Sequence, residues 1–374
     1  MWGPRLHRRA QDPGYRLPRK DSDGHVTPWR STLRRRAGVV LVLAVAALGI
    51  WALRGHGAEL SASLALIENA QAWPLLLAVL AEAGSVAAFG IFTWRLLGVG
   101  LEMPPLLKTT AVATANTTIN NTVPGGTAFA SVYTYREFRG MGADAVFASW
   151  VVLAVNLLAA VALGMLALVG VAASFRASQG LDLLIVVPII SAVLMGMAAL
   201  FSSPRLFGRL LRPPLELSAR LVNRFRREPF RVDDALLRIG SISTTKGQVM
   251  VAICWAIANW VLDAMVLVLA YVAIGSRIPW GGILLAYGAG QLAANLPITP
   301  GGLGVVEGSL SIALVAYGGA QEPAVAAVLL YRLISFWLVL PFGWLSYLGT
   351  NVVRRRAGQA RLARAETIEG GGAS

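Results

Sequence analysis

The sequence predicts an all-α fold: a polytopic integral membrane helix bundle with about six spanning helices and two inverted re-entrant hairpins. Three observations predict it. The 374 residues are 56% hydrophobic and only 14% charged, where a soluble domain carries about 25% charged residues. The charges are crowded into a few clusters, so the apolar runs between them are long enough to cross a bilayer. Two polar or apolar runs are also interrupted by Pro-Gly-Gly, at Pro124-Gly125-Gly126 and Pro300-Gly301-Gly302. Proline removes a backbone donor and clashes with the preceding turn, so neither run can be one regular helix.

Residues 1–36 hold ten Arg or Lys and three Asp. They read as a disordered, basic cytoplasmic arm. Residues 37–53 are the first span, with the N-terminus in the cytoplasm by the distribution of basic residues. Residues 54–72 are then a short external loop. Residues 73–99 span inward, with Glu82 inside the run. Residues 108–122 are rich in Thr and Asn, and end at Asn120-Asn121-Thr122. Such a segment cannot face lipid. With Pro124-Gly125-Gly126 as a tip and 127–135 as the second arm, it reads as a re-entrant hairpin entering from the cytoplasm.

Residues 143–173 and 181–201 are clear spans. Residues 204–246 hold ten Arg or Lys against four acids and form the main cytoplasmic loop, with an amphipathic surface helix expected. Residues 249–274 span outward, with Asp263 near the middle. Residues 280–296 and 300–316 form the second broken pair, reached from outside. Residues 322–348 span back, carrying Arg332, and 351–374 form a basic cytoplasmic tail. Residues 37–350 are thus one membrane domain in the cytoplasmic membrane, with both termini cytoplasmic. The net charge of +14 lies beside hydrophobic segments, so no nucleic-acid partner is expected.

The two breaks suggest two halves, about 73–173 and 249–348. The span before the first break runs inward and that before the second outward. An acid, Glu82 or Asp263, lies in each of those spans. Inverted halves around broken helices are common in transporters that alternate access about a central site.

Tyr287, Gln291 and Asn295 recur every four residues and share a helix face, as do Asn116 and Asn120. Polar stripes on membrane helices glue helices together or line a cavity. Glu82, Asp263, Glu307 and Arg332 are charges in apolar surroundings, and such charges face a partner or a pathway. For Glu307 and Arg332 two readings stand side by side. One is an ion pair that holds the fold. In the other, Arg332 and the amides after Gly301-Gly302 hold a phosphate-bearing headgroup, and Glu307 meets a cationic or hydroxyl group. The candidate substrate-binding set is therefore Asn121, Pro124, Gly125, Gly126, Gln291, Asn295, Pro300, Gly301, Gly302, Glu307 and Arg332.

No catalytic constellation is visible. His7, His25 and His56 lie outside the hydrophobic segments, no metal-ligand spacing exists, and Cys254 is the single cysteine, so no metal, cofactor or intrachain disulfide is expected. The glycine clusters lack a strand–turn–helix setting and a Walker lysine.

The run from Asn295 to Gly308 with Tyr331-Arg332-Leu333 and Phe336-Trp337 resembles the lysylphosphatidylglycerol synthase transmembrane family, also called the flippase-like domain family. The likeness extends over about residues 40–350. Pro124-Gly125-Gly126, Pro300, Gly301, Gly302, Glu307 and Arg332 match the family pattern. The resemblance implies a helical inner-membrane domain with re-entrant segments, which in aminoacyl-lipid synthases translocates the modified lipid. The soluble catalytic domain of those synthases, and the glycosyltransferase fused to some relatives, are not expected here. The expected partner is a membrane phospholipid or lipid-linked substrate, which the chain translocates without chemistry of its own. The alternatives are the membrane subunit of a split aminoacyl- or glycosyl-transferase with a separate transferase subunit, and a non-transporting scaffold.

Overall fold

A computed structural model describes residues 57–176 apart from Pro124, 244–294 and 299–352, with scattered positions between 188 and 236. The expected arm at 1–36, the expected span at 37–53, most of the expected span at 181–201, most of the loop at 204–246, and the tail beyond 352 lie outside the described residues. The elements are helical, in the order α1 (Gly57–Glu68), α2 (Ala72–Leu97), α3 (Leu106–Thr122), α4 (Gly126–Gly140), α5 (Ala145–Arg176), α6 (Lys246–Ala273), α7 (Ile283–Ala294), α8 (Val305–Ala316) and α9 (Gln321–Arg332). A 3₁₀ turn at Pro300–Gly302 separates α7 from α8. A π-helical turn at Leu333–Leu338 carries α9 onward, and the whole rod extends to Val352.

Among the described residues, four helices are long and apolar enough to cross a membrane: Ala72–Leu97, Ala145–Ser174, Lys246–Ala273 and Gln321–Val352. The shortest has 26 residues. At about 1.5 Å per residue it reaches about 39 Å, more than the hydrocarbon core of about 30 Å. Their outer faces carry large exposed apolar side chains: Trp73, Leu80, Phe342 and Leu345 are exposed. A soluble monomer does not leave so much apolar surface uncovered. The chain is a polytopic membrane helix bundle.

The other helices are too short to cross. α3 and α4 have 17 and 15 residues, and α7 and α8 have 12 each. Both pairs are hairpins. Thr134 Oγ1 donates to Asn116 Oδ1 at 3.0 Å and Thr127 Oγ1 to Asn120 Oδ1 at 2.8 Å, so α4 runs back along α3. In the second pair, Gly290 packs on Leu310 and Gly282 on Tyr317. The arms and tips fall within a few residues of where Pro and Gly predict them.

α2 and α6 pack along most of their length. The Gln71 amide donates to the Ala273 carbonyl at 2.8 Å, Gly84 abuts Leu262, and Ser85 and Asn259 exchange hydrogen bonds of 2.8–3.1 Å. One residue number rises as the other falls, so the two spans are antiparallel. The α6 start is a capping box: Gln248 N donates to Thr245 Oγ1, and Thr245 N donates to Gln248 Oε1. One expectation is corrected. The expected external loop at 54–72 contains α1, a helix of 12 residues rich in Ala, Leu and Glu, which are strong helix formers. Ser63 Oγ ties it to the Glu322 carbonyl at the start of α9.

Candidate functional site

Between α2, α3, α4, α5, α6, α7 and α9 lies a cavity of about 480 Å³. It is polar for a space inside a membrane bundle. α3 contributes Asn116, Thr117, Asn120 and Asn121, α6 contributes Asn259 and Asp263, and α7 contributes Gln291. Glu82, Tyr331, Arg332 and Ser335 complete its charged and hydroxyl groups with Thr114, Thr127, Ser131, Ser85 and Asn156.

The second break reaches this cavity beside the end of α3. Gly301 takes φ of 60°, a left-handed conformation that glycine adopts without strain. A Cβ placed there would also lie 2.5 Å from the Asn121 carbonyl oxygen and run into the Phe336 ring. The tip of the second hairpin is therefore seated on the end of α3.

The Glu307–Arg332 pair is formed. Arg332 Nε donates to Glu307 Oε1 at 2.6 Å, and Nη2 donates to the Gly301 carbonyl at 2.9 Å. The guanidinium lies 4.2 Å from the Phe336 ring centroid, a cation–π distance. Glu307 Oε2 accepts from the Gly304 amide at 2.6 Å. Of the two readings of these residues, the ion pair is the arrangement present. Arg332 lines the cavity and Glu307 does not.

A second polar cluster sits beside the first. Asp263 Oδ2 accepts from the Tyr287 hydroxyl, from the Tyr331 hydroxyl at 2.9 Å and from Gln291 Nε2 at 3.2 Å. Gln291 Nε2 also donates to the Tyr331 hydroxyl at 2.7 Å. The Tyr287 and Tyr331 rings meet edge to face, 6.3 Å between centroids. Glu82 lines the same wall from α2, at the level where Ser85 and Asn259 join α2 to α6. Two helices, α7 and α9, thus converge on one acid from α6, and a third, α2, brings a second acid into the same wall.

Among the sequence candidates, Asn121, Gln291, Gly301 and Arg332 line the cavity, while Gly125, Gly126, Gly302 and Glu307 stand off it. Pro124 and Asn295 lie outside the described residues; Pro300 begins the 3₁₀ turn. The predicted stripe on α7 is real at Tyr287 and Gln291, which both reach Asp263. The α3 stripe does two jobs, since Asn116 and Asn120 hold α4 and also face the cavity. Sequence reasoning flagged Glu82 and Asp263 singly and missed that they share one wall. A signal existed: each acid lies in the span that precedes a break, 42 residues before Pro124 and 37 before Pro300. The π turn directly after Arg332 had no such signal, although π turns concentrate at functional sites.

Fold and site together define a class: a multi-pass membrane protein whose broken helices enclose a polar, charge-bearing cavity. The chain belongs to the lysylphosphatidylglycerol synthase TM region family, whose sequence profile matches residues 38–343. It is similar to a UPF0104 membrane protein of Methanothermobacter thermautotrophicus, with 30% identity over 95 residues, which is 25% of this chain and 28% of the relative. It is similar also to a UPF0104 membrane protein of Pyrococcus horikoshii, with 33% identity over 79 residues, 21% of this chain and 24% of the relative. The matched stretches span about a quarter of these relatives.

Proposed function

We propose that this protein translocates a lipid or lipid-linked polar substrate across the cytoplasmic membrane, with both termini on the cytoplasmic side. The observation that carries the reading is the cavity itself. A space of about 480 Å³ lined by asparagine, glutamine and hydroxyl groups serves no packing purpose in a bundle that could have been filled with leucine. Irregular backbone at membrane depth is tolerated where it lines such a space. The antiparallel α2 and α6, each preceding a short-armed hairpin, support two halves of opposite orientation, the arrangement of alternating-access transporters.

Arg332 is already engaged by Glu307 and the Gly301 carbonyl, while Glu82 and Asp263 add acid to the wall. This charge balance favours a headgroup rich in hydroxyl or amine groups over one that is only a phosphate. The test is reconstitution in liposomes carrying labelled lipids with anionic, zwitterionic and aminoacylated headgroups, reading the sidedness of each label with time. We expect faster equilibration for the amine-bearing lipid, and at least a tenfold loss in Asn121→Leu and Gln291→Leu, which remove cavity hydrogen bonds. Equal rates with and without protein for every headgroup would end the proposal.

A further inference from the structure

Glu82 and Asp263 form the one feature that translocation as such does not require. The two carboxyls come from antiparallel helices joined at this level by Ser85 and Asn259, and both line the cavity wall. Glu82 is 7% exposed. Its Oε2 is buried and has no hydrogen-bond partner. Asp263 is supplied quite differently: Tyr287, Tyr331 and Gln291 all donate to its Oδ2. Three donors on one oxygen stabilise a carboxylate.

The surroundings hold little else that could balance a second negative charge. α2 brings Ser85, α6 brings Asn259, α7 brings Tyr287 and Gln291, and α9 brings Tyr331, Arg332 and Ser335. Among the described residues, neither lysine nor histidine lines the cavity. Arg332 is the nearby cation, and its Nε is taken by Glu307. Two neighbouring carboxyls in one low-dielectric wall do not both ionise readily; one keeps a proton, as in paired-carboxyl enzyme sites. The donor asymmetry says which: the anion is Asp263 and the acid is Glu82.

We propose that Glu82 and Asp263 are a binding site for a single exchangeable proton, carried on Glu82 and facing the substrate cavity. Its release leaves two facing carboxylates in the wall, and a cationic or hydroxyl-bearing group in the cavity would relieve their repulsion. Proton occupancy and cavity occupancy are then linked, so that each changes the affinity for the other. The linkage rests on the translocation reading; the proton site itself does not.

The test separates the two and starts with the unaltered protein. An apolar carbodiimide, which reacts with protonated carboxyls, is applied to the full chain in detergent over a pH series, and the modified residue is located by mass spectrometry. We expect one label per molecule, on Glu82, falling severalfold as the pH is raised. Infrared titration of the same sample should show the C=O stretch of a protonated carboxyl, lost in Glu82→Gln. Labelling of neither residue, labelling of Asp263 in place of Glu82, or sodium protection without pH dependence would each overturn the proton site. Liposomes with an imposed pH gradient then test the linkage. The ratio of lipid movement with and without the gradient should exceed one in the native protein and fall to one in Glu82→Gln. A native protein labelled on Glu82 but moving no lipid refutes translocation and leaves the proton site standing. Lipid movement indifferent to the gradient refutes the linkage.

Discussion

Replacing Glu307 by glutamine strands a cation that has no way to neutralise itself. The Arg332 side chain is 9% exposed and that of Glu307 23%. Removing one partner of a buried pair costs about 3–5 kcal/mol, because the charge left behind is uncompensated. The two directions are not equivalent. A guanidinium keeps its charge in any protein environment. Without the carboxylate its direct partners among the described residues are the Gly301 carbonyl and the Phe336 ring, with the acid of Asp263 farther off in the same wall. Glu307→Gln should therefore fall near 3 kcal/mol, at the low end of that range because the amide oxygen still accepts. In Arg332→Met the alkyl stem still covers Phe336. Glu307, less buried, keeps the Gly304 amide and some access to solvent, so the cost should be about 1–2 kcal/mol. The double variant should cost less than the sum of the two by about 1–2 kcal/mol, since its second change removes a charge already stranded. Thermal unfolding of the purified protein in detergent, followed by tryptophan fluorescence, gives the order of the three variants. Equal losses for the two single variants, or strict additivity, would refute the argument that the pair neutralises a buried guanidinium.

Three further outcomes follow from the same packing. Gly301→Ala and Gly125→Ala share a positive φ, 60° and 67°, but only Gly301 is enclosed, by Phe336 and the Asn121 carbonyl. Gly125→Ala should cost about 1 kcal/mol of unfolding free energy, and Gly301→Ala clearly more; equal losses would mean that the hairpin tips do not press together. Tyr331→Phe removes a bond to Asp263 and the acceptor of Gln291, and should lower stability by about 1.5–3 kcal/mol, with an unchanged melting temperature counting against the cluster. Gly343→Ala would drive a methyl into the Thr118 side chain of α3 at a cost of about 1–3 kcal/mol, partly recovered when Thr118→Ala is added; no recovery would place the strain elsewhere.

What was legible in the sequence is what local chemistry writes there. Proline and glycine act on their own backbone, so the breaks after Thr122 and before Val305 could be read directly. Long apolar runs set α2, α5, α6 and α9 because burial in lipid needs only composition and length. A four-residue repeat put Tyr287 and Gln291 on one face. The juxtaposition of Glu82 with Asp263 was half legible: the place of each acid in the span before a break could be read, but the packing that joins residues 181 positions apart could not. The π turn after Arg332 was hidden; it lies directly beyond the residue whose guanidinium reaches back to Gly301 and Glu307.

That last relation also explains why charges are present at the second break at all. An unbroken helix satisfies its own amides and carbonyls, and a break releases some of them where lipid offers no replacement. At this break the Gly301 carbonyl is taken by Arg332 and the Gly304 amide by Glu307. The two side chains then neutralise each other. The Pro-Gly-Gly turn, Glu307 three residues beyond Gly304, and Arg332 on the following helix are one structural unit, in which the ion pair supplies the polar groups that the broken backbone needs. A pair committed in this way has little left with which to grip an anion. The groups with capacity to spare are the amides of Asn121 and the carboxyl of Glu82, and it is on them that recognition of a substrate would fall.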